Sequence, residues 1–152
     1  MWNHNRILLY LFVETIKYVL TEVEHLYHSM NLIYVFIGGG TGAVLRYMVS
    51  EGWKHFQVSS TTMFPWPTLI VNVLGCFLIG LFYTNSAQWG LSAEVRLLLT
   101  TGLCGGFTTF STLGWESLNL LRSGMYGTFA LYVTLSIVLG ICAALIAVLI
   151  KS

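Results

Sequence analysis

From Phe56 through Ala93 the chain carries no Asp, Glu, Lys or Arg, and from Gly124 through Ile150 it again carries none. Stretches of that length without a charge leave few options for a folded chain. Hydrophobic residues make up 56% of the sequence and charged residues 9%, against about 25% charged in an ordinary soluble domain. So few charges cannot solvate a soluble surface, whereas a lipid-facing surface needs none. Four apolar stretches meet the length of about 20 residues that a helical crossing requires: Leu32–Val49, Leu69–Gln88, Leu97–Leu121 and Gly127–Ile150. None shows the period-two alternation of a barrel strand, so helices are the expected spanning form. The expected architecture is an all-α integral membrane fold with four transmembrane helices per subunit, occupying residues 30–152.

The first 29 residues are different. Ile7–Val13 is apolar but too short to cross, and Glu14, Lys17, Glu22 and Glu24 make the next stretch amphipathic. This N-terminal extension reads as an interfacial helix or as a segment outside the working protein, since Met30 stands just before the first apolar run. No small-residue cleavage site follows a basic start, which argues against a secretory signal.

With an even number of crossings both termini share a side. Arg6, Lys17, Arg96 and Lys151 fall on that side, and Arg46, Lys54 and Arg122 on the other. Lys and Arg in cytoplasmic loops normally set orientation, and here the balance is nearly even. A subunit that inserts both ways can form an antiparallel dimer. Trp53, Trp66 and Trp89 lie near run ends, as interfacial anchors do. Trp115 lies inside a run, where packing is the expected role.

Composition excludes several function classes. The net charge is +1 with no basic patch, so no nucleic-acid partner is expected. Cys76, Cys104 and Cys142 form no CxxC pair and read as small buried hydrophobes. His4, His25, His28 and His55 all fall outside the four runs. No Ser/His/Asp set, carboxylate pair or metal-ligand cluster appears in the runs, so an enzyme is not expected.

The third run is the unusual one. Thr100-Thr101-Gly102-Leu103-Cys104-Gly105-Gly106-Phe107-Thr108-Thr109-Phe110-Ser111-Thr112-Leu113 is dense in glycine and hydroxyl groups. A glycine weakens a helix by about 1 kcal/mol, so Gly105-Gly106 predicts a break near the middle of this helix. Backbone groups freed by a break must meet protein, water or an ion. Close helix packing through small residues uses the same glycines. Asn72 is the strong amide of the second run, Glu116 the acid inside the third, and Arg46 ends the first. Tyr132 and Ser136 share a face of the fourth. Gly38-Gly39-Gly40-Thr41-Gly42 lacks the lysine of a phosphate loop, so close approach of another helix is the better account.

Gly38-Gly39-Gly40-Thr41-Gly42 with Arg46, Asn72-Val73-Leu74-Gly75 and Thr101 through Thr112 closely resemble the CrcB/Fluc family of fluoride channels. That resemblance covers the chain from about Met30 onward. It implies an antiparallel, dual-topology homodimer in the bacterial inner membrane that passes fluoride passively out of the cell. It also implies a structural sodium ion at the dimer centre, held by the backbone carbonyls of Gly105 and Thr108. By the same resemblance Asn72, Phe110, Ser111, Thr112, Leu113, Tyr132 and Ser136 line the fluoride pore. Glu116 and Arg46 match the family's third-run glutamate and first-run basic residue. Leu113 departs from the family pattern, standing where a second phenylalanine falls, and Phe107 stands where leucine is common. Competing classes are a proton-coupled multidrug exporter, which needs a carboxylate deep in the membrane, and a non-transporting assembly subunit, which leaves the polar third run without a purpose.

Overall fold

A computed structural model describes residues 4–56 and 64–150, with side chains for 11–24, 29–56 and 64–150. Lys151 and the connection over 57–63 lie outside these, as do the side chains of His4, Arg6, His25 and His28. The described residues are helical throughout apart from short connections. Helix α1 is His4–Phe56, α2 is Trp66–Asn85, α3 is Ala93–Leu97, a π-helical stretch (π1) is Leu98–Cys104, α4 is Gly105–Phe107, α5 is Phe110–Arg122 and α6 is Tyr126–Leu149. Contacts divide the chain into Met1–Ile33 and Tyr34–Ser152. The first unit is a helical segment. The second holds every other element.

Three helices among the described residues are long and apolar enough to cross a membrane: Leu11–His55 within α1, then α2 and α6. α2 and α6 sit within a few residues of the second and fourth expected runs. Pro67 occupies the first turn of α2, where its missing N–H costs nothing. The turn after α2 contains Gly90 at φ 61°, and Gly124 at φ 72° separates α5 from α6. Both are left-handed positions that suit glycine.

The third run folds as four pieces. The expected break at Gly105-Gly106 is corrected by the structure: Gly105 is helical, at φ −63° and ψ −39°. The chain leaves helical geometry at Thr108 (ψ 159°) and Thr109 (φ −152°, ψ 118°) instead. The glycines earlier in the run serve packing. A Cβ on Gly102 would lie 2.9 Å from the Cα of Gly38, and one on Gly106 2.9 Å from the Cα of Gly39. From the other side, a Cβ on Gly42 would lie 2.7 Å from the Phe107 nitrogen. Backbones this close gain dispersion energy that side chains would prevent. Gly105 differs, with nothing of its own chain within 4 Å of such a Cβ.

α2 and α6 pack extensively against each other. Gly80 brings α2 against Ala144 and Ala147, where a Cβ would lie 3.0 Å from the Ala144 carbonyl oxygen. Leu69, Leu120 and Tyr132 make the buried cluster, with Leu113 and Phe129 packed on it. Two residues lie away from this core. Trp115 is 60% exposed in the single subunit, so its packing role is not met inside this chain. Cys142 is exposed, although Cys104 is buried as a small hydrophobe should be.

A polar site around the interruption between α4 and α5

Helix α4 ends because Thr108 turns extended, yet its last amide is still satisfied. The Thr108 N–H and Oγ1 both donate to the Cys104 carbonyl, at 2.9 Å each. The next amide is diverted. The Thr109 N–H donates to Asn72 Oδ1 at 2.8 Å, and Asn72 Nδ2 donates back to the Thr109 carbonyl at 3.1 Å. One side-chain amide on α2 therefore supplies the helical partner that the Thr109 N–H has lost and a second donor to its carbonyl, which as N-cap still opens α5.

Thr109 also begins α5. Its Oγ1 accepts from the Thr112 N–H at 3.2 Å, the usual N-cap geometry, and shares hydroxyl contacts with Thr112 (3.0 Å) and Ser111 (3.2 Å). In an unbroken helix the Thr109 N–H would pair with the Gly105 carbonyl and the Thr112 N–H with that of Thr108. Both amides are bound to side chains instead. The interruption thus releases carbonyls of the last helical turn, those of Gly105 and Thr108 among them, on a segment where Gly105 is exposed.

A cavity of about 500 Å³ opens beside the interruption. Its walls include Asn72, Gly105, Thr108, Phe110, Leu113 and Ser136. Phe110 is 86% exposed, whereas Leu113 divides itself between this wall and the buried cluster. Phe107 is buried and is not part of the wall. Ser136 Oγ donates to the Tyr132 carbonyl at 2.7 Å.

A second cavity, of about 480 Å³, is lined by Lys54, Pro67, Thr68, Thr112, Glu116 and Asn119 among others. Glu116 lies between two hydroxyl donors, Thr68 Oγ1 at 2.9 Å to Oε1 and Tyr132 Oη at 2.6 Å to Oε2. Hydrogen bonds to a carboxylate are the stronger kind, and here they offset the cost of an acid in an apolar segment. Tyr132 is completely buried, with Phe64 edge-on at 5.6 Å. A third cavity, of about 300 Å³, joins Arg46 to Thr68, Thr109 and Thr112. The Arg46 Nε is buried without a hydrogen-bond partner among the described residues.

The structure thus brings Asn72, Gly105, Thr108, Phe110, Leu113 and Ser136 to one cavity. It places Thr112 and Glu116 at the second, and Arg46 and Thr112 at the third. Tyr132 sits behind Glu116, and Ser111 is exposed beside Phe110. Sequence reasoning missed Thr109 and Thr68. Thr109 carried only a weak signal, because Thr108, Thr109, Ser111 and Thr112 are equal candidates for a helix cap. Thr68 carries no comparable local signal, because its partner lies 48 positions away.

Apolar helices of crossing length around such polar groups define a multi-pass helical membrane protein. Residues 33–148 match the family model described as "CrcB-like protein, Camphor Resistance (CrcB)", and the chain belongs to that family. Among its relatives is a "Fluoride-specific ion channel FluC" of Phocaeicola vulgatus, 49% identical over 118 residues, which are 78% of this chain and 95% of that protein. A protein of the same name from Bacteroides fragilis is 51% identical over 115 residues, 76% of this chain and 91% of the relative. The Thermus thermophilus protein of that name is 47% identical over 110 residues, covering 72% and 84%.

Proposed function

We propose that this chain is a subunit of a passive fluoride-selective channel that lowers cytoplasmic fluoride, acting in a bacterial inner membrane. The observation that carries this reading is the dense set of hydroxyl and amide groups gathered at the Thr108–Thr109 interruption, in a chain about half identical to proteins named fluoride-specific channels. Fluoride is small and strongly hydrated, so a pathway must replace its water with closely spaced donors. Hydroxyls, amide N–H groups and the positive edge of a phenyl ring supply such donors. They do so without a fixed mid-membrane cation to trap the ion, and passage needs sites that release as well as bind. Phe110, Ser111, Thr112, Ser136 and Leu113 would line the path, with Asn72 holding the segment that presents them. The buried, unpartnered Arg46 Nε beside Thr109 and Thr112 is consistent with an anion drawn towards this end.

In this reading α3, π1, α4 and α5 together make the third of four crossings, and two subunits pair in opposite orientations as a homodimer. The near balance of Lys and Arg on the two sides supports the pairing. So does the exposed face formed by Gly105, Phe110, Ser111, Gly114, Trp115 and Leu118. The freed Gly105 and Thr108 carbonyls suit a monovalent cation, and two subunits would offer four such oxygens around one structural sodium ion. That ion would neutralise backbone dipoles that otherwise cost several kcal/mol each in lipid.

The test is efflux from liposomes containing the purified protein, recorded for fluoride and for chloride. Fluoride release with chloride retained is expected. Equal release of both anions, or of neither, refutes the reading. Replacing sodium with a large organic cation should weaken both dimer and flux, and indifference to that exchange would remove the sodium ion from the account.

A further inference from the structure

The match to the family begins at residue 33, so nearly all of the first unit lies outside it. Along it, Phe12, Ile16, Val19, Val23, Met30 and Ile33 are all exposed, between 42% and 63%. With Leu26 completing the sequence pattern, these positions alternate in steps of four and three. That 3.5-residue spacing marks a coiled-coil seam, and it is sustained here for three heptads. The opposite face is polar and closes on itself. Lys17 Nζ donates to Glu14 at 2.8 Å, and the Thr21 hydroxyl donates to the Lys17 carbonyl at 2.9 Å.

Three occupants compete for the apolar seam. Lipid hydrocarbon is disfavoured by Glu14, Lys17, Glu22 and Glu24, since each charge at a bilayer centre costs about 2.5–3.5 kcal/mol. An anionic headgroup surface is disfavoured because three glutamates oppose one lysine between residues 11 and 24. The third is an identical helix, and the details favour it. Ile16 and Val23 take the a positions, and Phe12 and Val19 the d positions. β-Branched residues at a are typical of parallel helices that pair through such a seam. Val13 and Leu20 extend the apolar stripe along one flank, and Glu22 is the one charge beside the seam among the described side chains. In a parallel pair Glu22 falls across from position 27 of its neighbour, a tyrosine in the sequence, so no like charges meet. Two copies whose α1 enters the membrane from the same side necessarily run in the same direction.

We propose that the N-terminal seam of α1 pairs, parallel and in register, with the same seam of a second copy of this chain. It does not depend on the transported ion. If subunits also form antiparallel dimers, the two seams of a dimer lie on opposite sides of the membrane, and the pairing then joins neighbouring dimers.

Full-length protein in liposomes, carrying either Ile16→Cys at the seam or Thr21→Cys on the polar face, tests this by mild copper-phenanthroline oxidation. The unsubstituted chain supplies the baseline, because Cys142 is exposed. Ile16→Cys should yield a species of twice the subunit mass, at least tenfold more abundant than from Thr21→Cys. Equal yields from both positions, or no product from Ile16→Cys, overturn the proposal. A fluorophore at position 16 quenched by brominated lipid would do the same, naming lipid as the occupant. In a separate measurement, Ile16→Asp with Val23→Asp should lower the number of subunits per photobleaching spot to that of the chain truncated before Met30. An unchanged number would count against the seam.

Discussion

Two parts of the third run sit a few residues apart and solve opposite problems. From Gly102 to Gly106 the helix has no side chain to spare and presses its backbone onto that of Gly38, Gly39 and Gly42. At Thr108 and Thr109 the backbone departs from the helix and is completed by side chains, Asn72 from α2 and the Thr109 hydroxyl itself. The first region is held by shape and the second by hydrogen bonds. Glycine density therefore marks where two helices touch, and the break lies where polar side chains are available to replace lost helical bonds. In a medium without water, the partner for an orphaned amide determines where a helix can be interrupted.

This contrast breaks most sharply at Gly106. A side chain there must displace the Gly39 backbone, which belongs to a helix and cannot shift alone. Gly106→Leu should abolish recovery of a monodisperse protein in detergent, whereas Gly105→Ala should be recovered at the parental level, because its Cβ meets nothing in the subunit. Size-exclusion chromatography of the two variants distinguishes them. Similar behaviour at the two adjacent glycines would show that packing does not govern this stretch.

Much of this was legible in advance, and the reasons for the rest are physical. Runs two and four were readable from hydropathy because an uninterrupted apolar helix is its own signal. The close approach at Gly38–Gly42 was readable because glycine clusters in an apolar run admit a neighbouring backbone. The position of the break was not, since propensity weakens a helix at Gly105-Gly106 but tertiary partners at Asn72 and Thr109 place the interruption two residues later. Glu116 was conspicuous as an intramembrane acid, yet its donors Thr68 and Tyr132 come from other helices. No local pattern pairs residues so far apart.

A middle-sized effect is expected at the clamp. Asn72→Leu removes the partner of the Thr109 N–H and leaves that N–H unsatisfied in an apolar site, at about 1–3 kcal/mol. Asn72→Asp keeps the acceptor for the Thr109 N–H but loses the donor to its carbonyl, so it should fall between the parent and Asn72→Leu in thermal stability. If Asn72→Leu melts with the parent, water or another group already completes Thr109 and the clamp is not what holds the break.

The smallest effect should come from Thr109, and it separates two roles of one hydroxyl. The group caps α5 by accepting from the Thr112 N–H at 3.2 Å, and it also belongs to the hydroxyl chain with Ser111 and Thr112. Thr109→Ser keeps an oxygen in place for both. Thr109→Ala removes it, with a cost of about 0.5–2 kcal/mol for a lost N-cap. Thr109→Asp restores a capping oxygen, but it adds a charge and cannot donate a hydrogen bond. If capping is the whole role, stability and fluoride efflux should fall together in Thr109→Ala and recover together in Thr109→Asp. If the hydroxyl also serves the path, Thr109→Asp should recover the melting temperature while efflux stays at the Thr109→Ala level. The second pattern is expected, because Thr109 lines two of the three cavities at the interruption. Recovery of both by the aspartate would confine this residue to holding the end of the helix.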